Sequence, residues 1–234
     1  MYEVVIQLGA IMAVIIIFWR SIFPFGKSDK PLGKGVLKYV KKDIFDLWLK
    51  ILVSCLPAAV IGILFDEVFE ALFYNYVCVA IALIVFGIAF IVIENKHKNK
   101  PAKINSLAEI SYNTAFLIGI FQLIAAIFPG TSRSGATIVG ALLLGVSRTV
   151  AAEFTFFEAI PVMFGASLLK LVRFGFEFTN LELLILAIGM ITAFAVSIFV
   201  ISFLMSYIKK HNFKVFGYYR IILGVVVLIY FGLF

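Results

Sequence analysis

Charge is what this 234-residue chain has least of. Charged side chains make up 14% of it and hydrophobic ones 63%, where a soluble domain averages ~25% and ~45–50%. A water-soluble fold of this size cannot hide so much apolar surface. Cysteine is nearly absent: Cys55 and Cys78 lie inside apolar runs with no CxxC spacing, which excludes a disulfide framework and leaves them as small hydrophobes. Histidine is equally scarce. His97 and His211 sit far apart in basic loops and read as solvated surface residues, neither metal ligands nor catalytic bases. The first apolar run has no basic segment before it and ends in "FWR", so no cleavable leader is expected. No basic stripe interleaved with aromatics appears either. The net charge of +7 is therefore no nucleic-acid signal, and its lysines fall in loops, as membrane orientation requires.

What is present is a series of apolar runs: residues 2–23, 47–65, 72–93, 107–128, 134–146, 151–172, 183–207 and 215–234. At ~20 residues per crossing, the chain reads as an all-α polytopic membrane protein, one integral domain over residues 1–234. Lys27, Lys30, Lys34, Lys38, Lys41 and Lys42 make the first loop basic, and Asp66, Glu67 and Glu70 make the next acidic. Lys96, Lys98, Lys100 and Lys103 are basic again, as are Lys209, Lys210 and Lys214. Basic loops stay in the cytoplasm. Parity then requires the 107–128 and 134–146 runs together to start and finish on the cytoplasmic side. The second, about 13 residues, gives ~20 Å of helix and cannot cross ~30 Å of hydrocarbon. The expected fold is about six transmembrane helices plus a re-entrant helical hairpin over about residues 107–147. Non-helical backbone at its tip is tolerated only where protein or a wet cavity surrounds it.

That tip reads "FPGTSRSGAT", residues 128–137. Thr131, Ser132 or Ser134 can cap the helix that starts there, whose first amides have no helical partners and carry the positive end of the dipole. Arg133 adds a fork of donors that cannot be deprotonated, and Ser132, Ser134 and Thr137 add hydroxyl donors. Gly130 and Gly135 let backbone come close. The sum is an anion trap suited to phosphate or diphosphate. The bland alternative is an arginine that snorkels or pairs with a carboxylate. Gly130 and Gly135 also match part of a phosphate-binding P-loop, but Ala136-Thr137 replaces its Lys-Ser/Thr and no strand precedes it. Gln122, seven residues before Pro129, can point toward the turn as a ligand contact or serve as an interhelical hydrogen-bonding residue; Gln7 has similar standing. Glu158 is an ionisable group about two turns into a span and a candidate carboxylate by that fact alone.

"FPGTSRSGATIVGALLLGVSR", with "YEVVIQLGAIMAVIIIFWR", "CLPAAVIGILF", "AIPVMFGAS" and "YYRIILGVVVLIYF", resembles the bacterial undecaprenyl-diphosphatase (bacitracin-resistance) family across essentially the whole chain. The resemblance implies a hydrolase of the bacterial inner or plasma membrane. It would remove one phosphate from undecaprenyl (polyprenyl) diphosphate, recycling the carrier for cell-wall synthesis, and confer bacitracin resistance. It also implies inverted repeats, of which a trace survives as "IQLGA" at 6–10 and "VMFGA" at 162–166. Arg133, Ser132, Ser134 and Thr137 become the expected catalytic residues, and Gly130, Thr131, Gly135 and Gln122 the substrate-binding ones, with no metal ligand among them. Family members open with a hairpin bearing a glutamate pair and a Ser-Ser-x-Gly-His phrase, which this sequence does not contain. A divalent cation, Mg or Ca, is expected to use those carboxylates. A misplaced start codon, a shortened chain and a degenerate paralogue are the three explanations, and the chain taken as complete is expected to hydrolyse little. The implied partners are the polyprenyl diphosphate and the membrane, without nucleic acid and with a homodimer among the permitted assemblies. Relatives carry an apolar residue at Glu158 and a basic residue with Gln at Asn113-Thr114, so the carry-over is weaker there. The rival reading is a lipid-phosphate flippase or anion carrier, which would hold phosphate in the same trap without cleaving it. A lipid-binding remnant with neither activity is the third.

Overall fold

A computed structural model of the chain describes residues 2–26, 32–33, 39–97, 101–174 and 179–233. Lys27, Lys30, Lys34, Lys38, Lys98 and Lys100 lie outside the described residues. Nine α-helices are described: α1 (Tyr2–Ile17), α2 (Trp19–Ile22), α3 (Lys42–Phe73), α4 (Tyr76–Lys96), α5 (Tyr112–Ile127), α6 (Arg133–Leu143), α7 (Arg148–Phe174), α8 (Asn180–Ile208) and α9 (Lys214–Leu233). Five of them, α3, α4, α7, α8 and α9, contain stretches long and apolar enough to cross a membrane. The protein is an all-α polytopic membrane protein. Contacts divide the chain into two compact units, Met1–Leu49 with Phe156–Tyr207 and Lys50–Thr155 with Ile208–Phe234.

In the first unit the opening apolar run does not form one helix. α1 has 16 residues, ~24 Å at 1.5 Å each, and the chain breaks at Phe18. That residue's ring packs edge-on to Phe157 at 5.2 Å and against Phe156 at 6.1 Å. Trp48 on α3 donates its indole N–H to the Ile22 carbonyl at 2.8 Å, satisfying an acceptor left open where α2 ends. Gly9 lies against the Met190 backbone and Gly189 against the Ile6 side chain, so α1 and α8 approach closely. The rest of α8 turns apolar side chains outward, Phe199 being 73% and Ile191 68% exposed, as a lipid-facing helix does.

In the second unit the expected acidic loop is absent. Residues 66, 67 and 70 lie on the last turns of α3, which runs on to Phe73. Only Tyr74 and Asn75 separate it from α4. The Asn75 side chain ends one helix and starts the next: its amide N–H donates to the Leu72 carbonyl at 3.4 Å, and its oxygen accepts from the Cys78 amide at 2.9 Å. Two or three charges at a helix end mimic a loop in sequence; the cap decides where the turn is.

The hairpin is built from two short helices, α5 with 16 residues and α6 with 11, roughly 24 and 16 Å long against ~30 Å of hydrocarbon. Its first leg begins later than the apolar run, because Leu107–Glu109 form a 3-10 turn and Ser111 caps α5 by accepting from the Thr114 amide at 3.1 Å. Below that turn the Asn105 amide donates to the exposed Glu109 carboxylate at 2.8 Å, which holds its pKa below the usual value together with the Ser106 hydroxyl. The two feet of the hairpin are joined by main chain. The Lys103 and Ile104 amides both donate to the Gly145 carbonyl, at 2.8 and 3.1 Å, and Ser147 donates to the Ile104 carbonyl at 2.9 Å. The segment therefore leaves where it started, on legs too short to cross.

Candidate functional site

Helices α3, α4, α7 and α9 of the second unit contact the hairpin, which meets α3, α4 and α9 at its own glycines and α7 through a threonine. Gly119 on α5 lies against the Ser54 backbone of α3. Gly130 holds φ +88, which an L side chain rarely adopts, and a Cβ there would stand 2.5 Å from the Val79 carbonyl of α4. A Cβ on Gly140 would stand 2.5 Å from the Phe121 ring of α5. One on Gly135 would meet the Arg220 guanidinium of α9 at 2.7 Å. The close approaches expected of Gly130 and Gly135 are thus made to the protein's own backbone and to an arginine. Thr137, fully buried, shares a 2.9 Å hydrogen bond with Thr155 at the start of α7, and its hydroxyl lies 3.2 Å from the Arg133 and Ser134 carbonyls. That geometry commits the side chain to joining α6 to α7.

At the tip, Ser132 is the N-cap among the three candidates. Its Oγ accepts from the Gly135 amide at 3.4 Å and its carbonyl from the Ala136 amide at 2.9 Å. Ser132 has φ +62, a left-handed conformation that costs an L-residue about 1–2 kcal/mol. Ser132 is exposed, its hydroxyl 3.2 Å from that of Ser134, which is exposed too. Arg133, half-buried, is the first residue of α6. The amides at positions 133 and 134 precede the helical ladder, and the positive end of the dipole lies with them.

Arg220 is the residue that sequence reasoning passed over. It extends from α9, donates from Nη1 to the Thr131 carbonyl at 2.6 Å, and lies over the Phe90 ring with 5.8 Å from Cζ to centroid. A second guanidinium thus stands at the turn, contributed 89 residues away in sequence. The signal was available, since an ionisable residue inside an apolar run is a site candidate by default. Two buried polar groups in this unit complete the inventory. Gln122 is 2% exposed with neither amide atom hydrogen-bonded, and Thr131 is 0% exposed with its hydroxyl unpaired. A buried amide or hydroxyl left unmatched costs about 1–3 kcal/mol, and such groups persist where a ligand or water meets them.

The remaining candidates lie apart. Gln7 is exposed on α1 and Glu158 is 1% exposed on α7, both in the first unit. His97 ends α4, its Nδ1 2.9 Å from the Ile93 carbonyl, and His211 is exposed. Cys55 and Cys78 form no disulfide among the described residues. Among the described residues no three His, Cys, Asp or Glu side chains converge as a metal site would require. The donors at the tip are hydroxyls, amides and guanidinium groups, a set made for anions. At the foot of the hairpin, Glu94 is buried and accepts from Arg148 Nε at 2.9 and 3.0 Å and from the Phe213 amide at 3.0 Å, tying α4 to the starts of α7 and α9.

The chain is also similar to known proteins. The profile of the family described as "Bacitracin resistance protein BacA" matches residues 1–226. A curated undecaprenyl-diphosphatase of Desulfitobacterium hafniense is 65% identical over 99% of this chain and 81% of its own length. Undecaprenyl-diphosphatase 1 of Clostridium acetobutylicum is 62% identical over 98% and 81%, and the undecaprenyl-diphosphatase of Acetivibrio thermocellus 58% over 99% and 82%.

Proposed function

Because this chain belongs to the bacitracin-resistance BacA family, we propose that it hydrolyses undecaprenyl diphosphate to the monophosphate and inorganic phosphate, recycling the lipid carrier. The observation that carries the reading is the tip of α6: a helix N-terminus, Arg133 and Arg220 gathered at the end of a hairpin too short to cross the membrane. Such donors suit an anion, and a lipid diphosphate carries one with its tail in the bilayer.

In the reaction a water oxygen attacks the terminal phosphorus, and the bond from that phosphorus to the bridging oxygen breaks. The lipid keeps one phosphate and the terminal group leaves as inorganic phosphate. Such transfers depend on positioning and charge neutralisation more than on covalent help from the protein. On this reading the α6 amides and Arg133 hold the terminal phosphate and stabilise the charge that develops. Ser132 and Ser134, exposed at the cap, donate hydroxyl hydrogen bonds to it. Arg220 keeps one N–H on the Thr131 carbonyl and turns others to the diphosphate. Gln122 and the Thr131 hydroxyl find in the ligand the partners they otherwise lack. Thr137 acts from behind by fixing α6. A divalent cation, Mg or Ca, does not fit the donors at the tip, so its carboxylate ligands are sought outside this group and no step is drawn through it. Residence in the bacterial plasma membrane follows from the same reading, and a homodimer is compatible with it. The flippase alternative requires the hairpin to move. The contacts of Gly119, Gly130 and Gly140 with neighbouring backbone and ring support a fixed site.

The test is phosphate release from undecaprenyl diphosphate by the purified chain in detergent micelles, with Arg133→Ala beside it. Turnover in the wild type, above the little hydrolysis the sequence leads one to expect of this chain by itself, and reduced on the order of 10²–10³-fold in the variant, supports the proposal. Movement of labelled lipid phosphate across vesicles without phosphate release refutes it in favour of transport.

A further inference from the structure

Arg220 meets the hairpin turn only if α9 lies at one depth and one separation against α4. The residues that set both are glycines. Gly217, Arg220 and Gly224 are spaced i, i+3, i+7 and so share one stripe of α9. On α4 the facing stripe is Ala80, Gly87 and Phe90, exposed 0%, buried and 2% exposed. The contact at Gly87 and Gly217 is reciprocal. A Cβ on Gly87 would stand 2.7 Å from the Gly217 carbonyl oxygen, and a Cβ on Gly217 would stand 2.7 Å from the Gly87 carbonyl oxygen. Further along, a Cβ on Gly224 would stand 2.8 Å from the Ala80 carbonyl. Backbone therefore touches backbone on both sides of Arg220, one turn before it and one turn after. Between those two contacts the guanidinium lies over Phe90 and reaches the Thr131 carbonyl.

Resting on the reading above, we propose that Gly87 and Gly217 are positioning residues for the phosphatase reaction, acting through Arg220. The separation of α4 and α9 at this crossing fixes where the guanidinium stands relative to the α6 N-terminus. A methyl group at either glycine faces main chain, which cannot swing aside as a flexible side chain would. Ordinary van der Waals contact begins near 3.4 Å, so the helices must part or slide by roughly 0.7 Å. That displacement falls on an arm whose hydrogen bond to the turn is 2.6 Å long.

A double-mutant cycle separates positioning from mere packing. The full chain is purified in detergent as wild type, Gly87→Ala, Gly217→Ala, Arg220→Ala and Gly217→Ala/Arg220→Ala. Gly232→Ala, which opens onto nothing within 4 Å, is the control. The readouts are kcat and KM for phosphate release from undecaprenyl diphosphate, equilibrium binding of the same lipid, and the thermal midpoint. Each single glycine variant is expected to lose kcat/KM on the order of 10²-fold, with Gly232→Ala unchanged. With Arg220 already gone, Gly217→Ala is expected to cost no further activity. Losses that multiply in the double variant, or a Gly217→Ala enzyme with wild-type turnover, overturn the proposal. If neither glycine variant folds, Phe90→Leu decides by the same criterion, since it removes the ring beneath Arg220 without placing an atom between the helices. A wild type that binds the lipid but releases no phosphate defeats the hydrolytic reading alone, and the cycle is then read on affinity. A wild type that does not bind the lipid defeats both.

Discussion

Replacing Arg220 with lysine keeps the positive charge and removes the fork. In the structure one arm of that fork is committed, Nη1 to the Thr131 carbonyl at 2.6 Å, while the guanidinium plane lies over Phe90. An ammonium is a single point of charge on a flexible stem. It can serve the carbonyl or a phosphate oxygen, not both in fixed geometry. The lost interaction is one charge-assisted hydrogen bond, about 1.5–3 kcal/mol, or roughly 10- to 150-fold in kcat/KM. The Thr131 carbonyl keeps a donor when no substrate is bound, so the thermal midpoint should move little. The assay is phosphate release over a range of undecaprenyl diphosphate concentrations in micelles, with the midpoint measured on the same preparation. A drop in kcat/KM without a drop in stability is the expected pattern. A Lys variant within twofold of wild type in kcat/KM would show that the guanidinium contributes only its charge, and the two-arginine account of the tip would fall. A variant that loses stability as fast as activity would place Arg220 among the packing residues instead.

Gln122→Leu should raise the thermal midpoint, because it removes two buried, unmatched polar atoms worth about 1–3 kcal/mol each, while weakening lipid diphosphate binding at least tenfold; unchanged affinity in a binding titration would strip Gln122 of its ligand role. Thr137→Val should cost about 1 kcal/mol of stability for the lost Thr155 hydrogen bond and less than tenfold in kcat, whereas a thousandfold loss would return Thr137 to direct contact with substrate. Glu94→Gln should lower stability by breaking the ion pair at the hairpin foot, by less than the ~3–5 kcal/mol of a fully buried pair, since the Arg148 side chain is 37% exposed, and a fall in the thermal midpoint checks it.

The pair of short helices was legible in sequence because its evidence is local: an apolar run too short to span and a Pro-Gly break before it. Ser132 as cap was one of three legible options. Its choice depended on a positive φ that sequence does not display in a non-glycine residue. Arg220 was legible as a candidate, an ionisable residue in an apolar run, but its place at the turn was not, since its partner is a backbone carbonyl 89 positions away and only packing of α9 on α4 brings them together. Thr137 looked like a ligand donor because a hydroxyl beside a phosphate loop usually is one; its partner, Thr155, carries no pattern that marks it. The break at Phe18 was hidden for the opposite reason. Every residue around it is apolar, and hydropathy cannot distinguish one long helix from a short helix followed by a turn. The acidic residues at 66, 67 and 70 suggested a loop, but a helix end carries charge as readily as a loop does.

The first amides of α6 belong to the main chain, and this has a consequence for inhibition. A side-chain anchor can be exchanged by a single base change, leaving a compound without its handle. A peptide N–H is present whatever residue carries it, proline excepted. Molecules that mimic a phosphate and seat themselves chiefly on those amides would leave the bacterium few routes of escape, because the substitutions that could block them, at Gly130 or Gly135, would also disturb the turn on which the natural lipid depends.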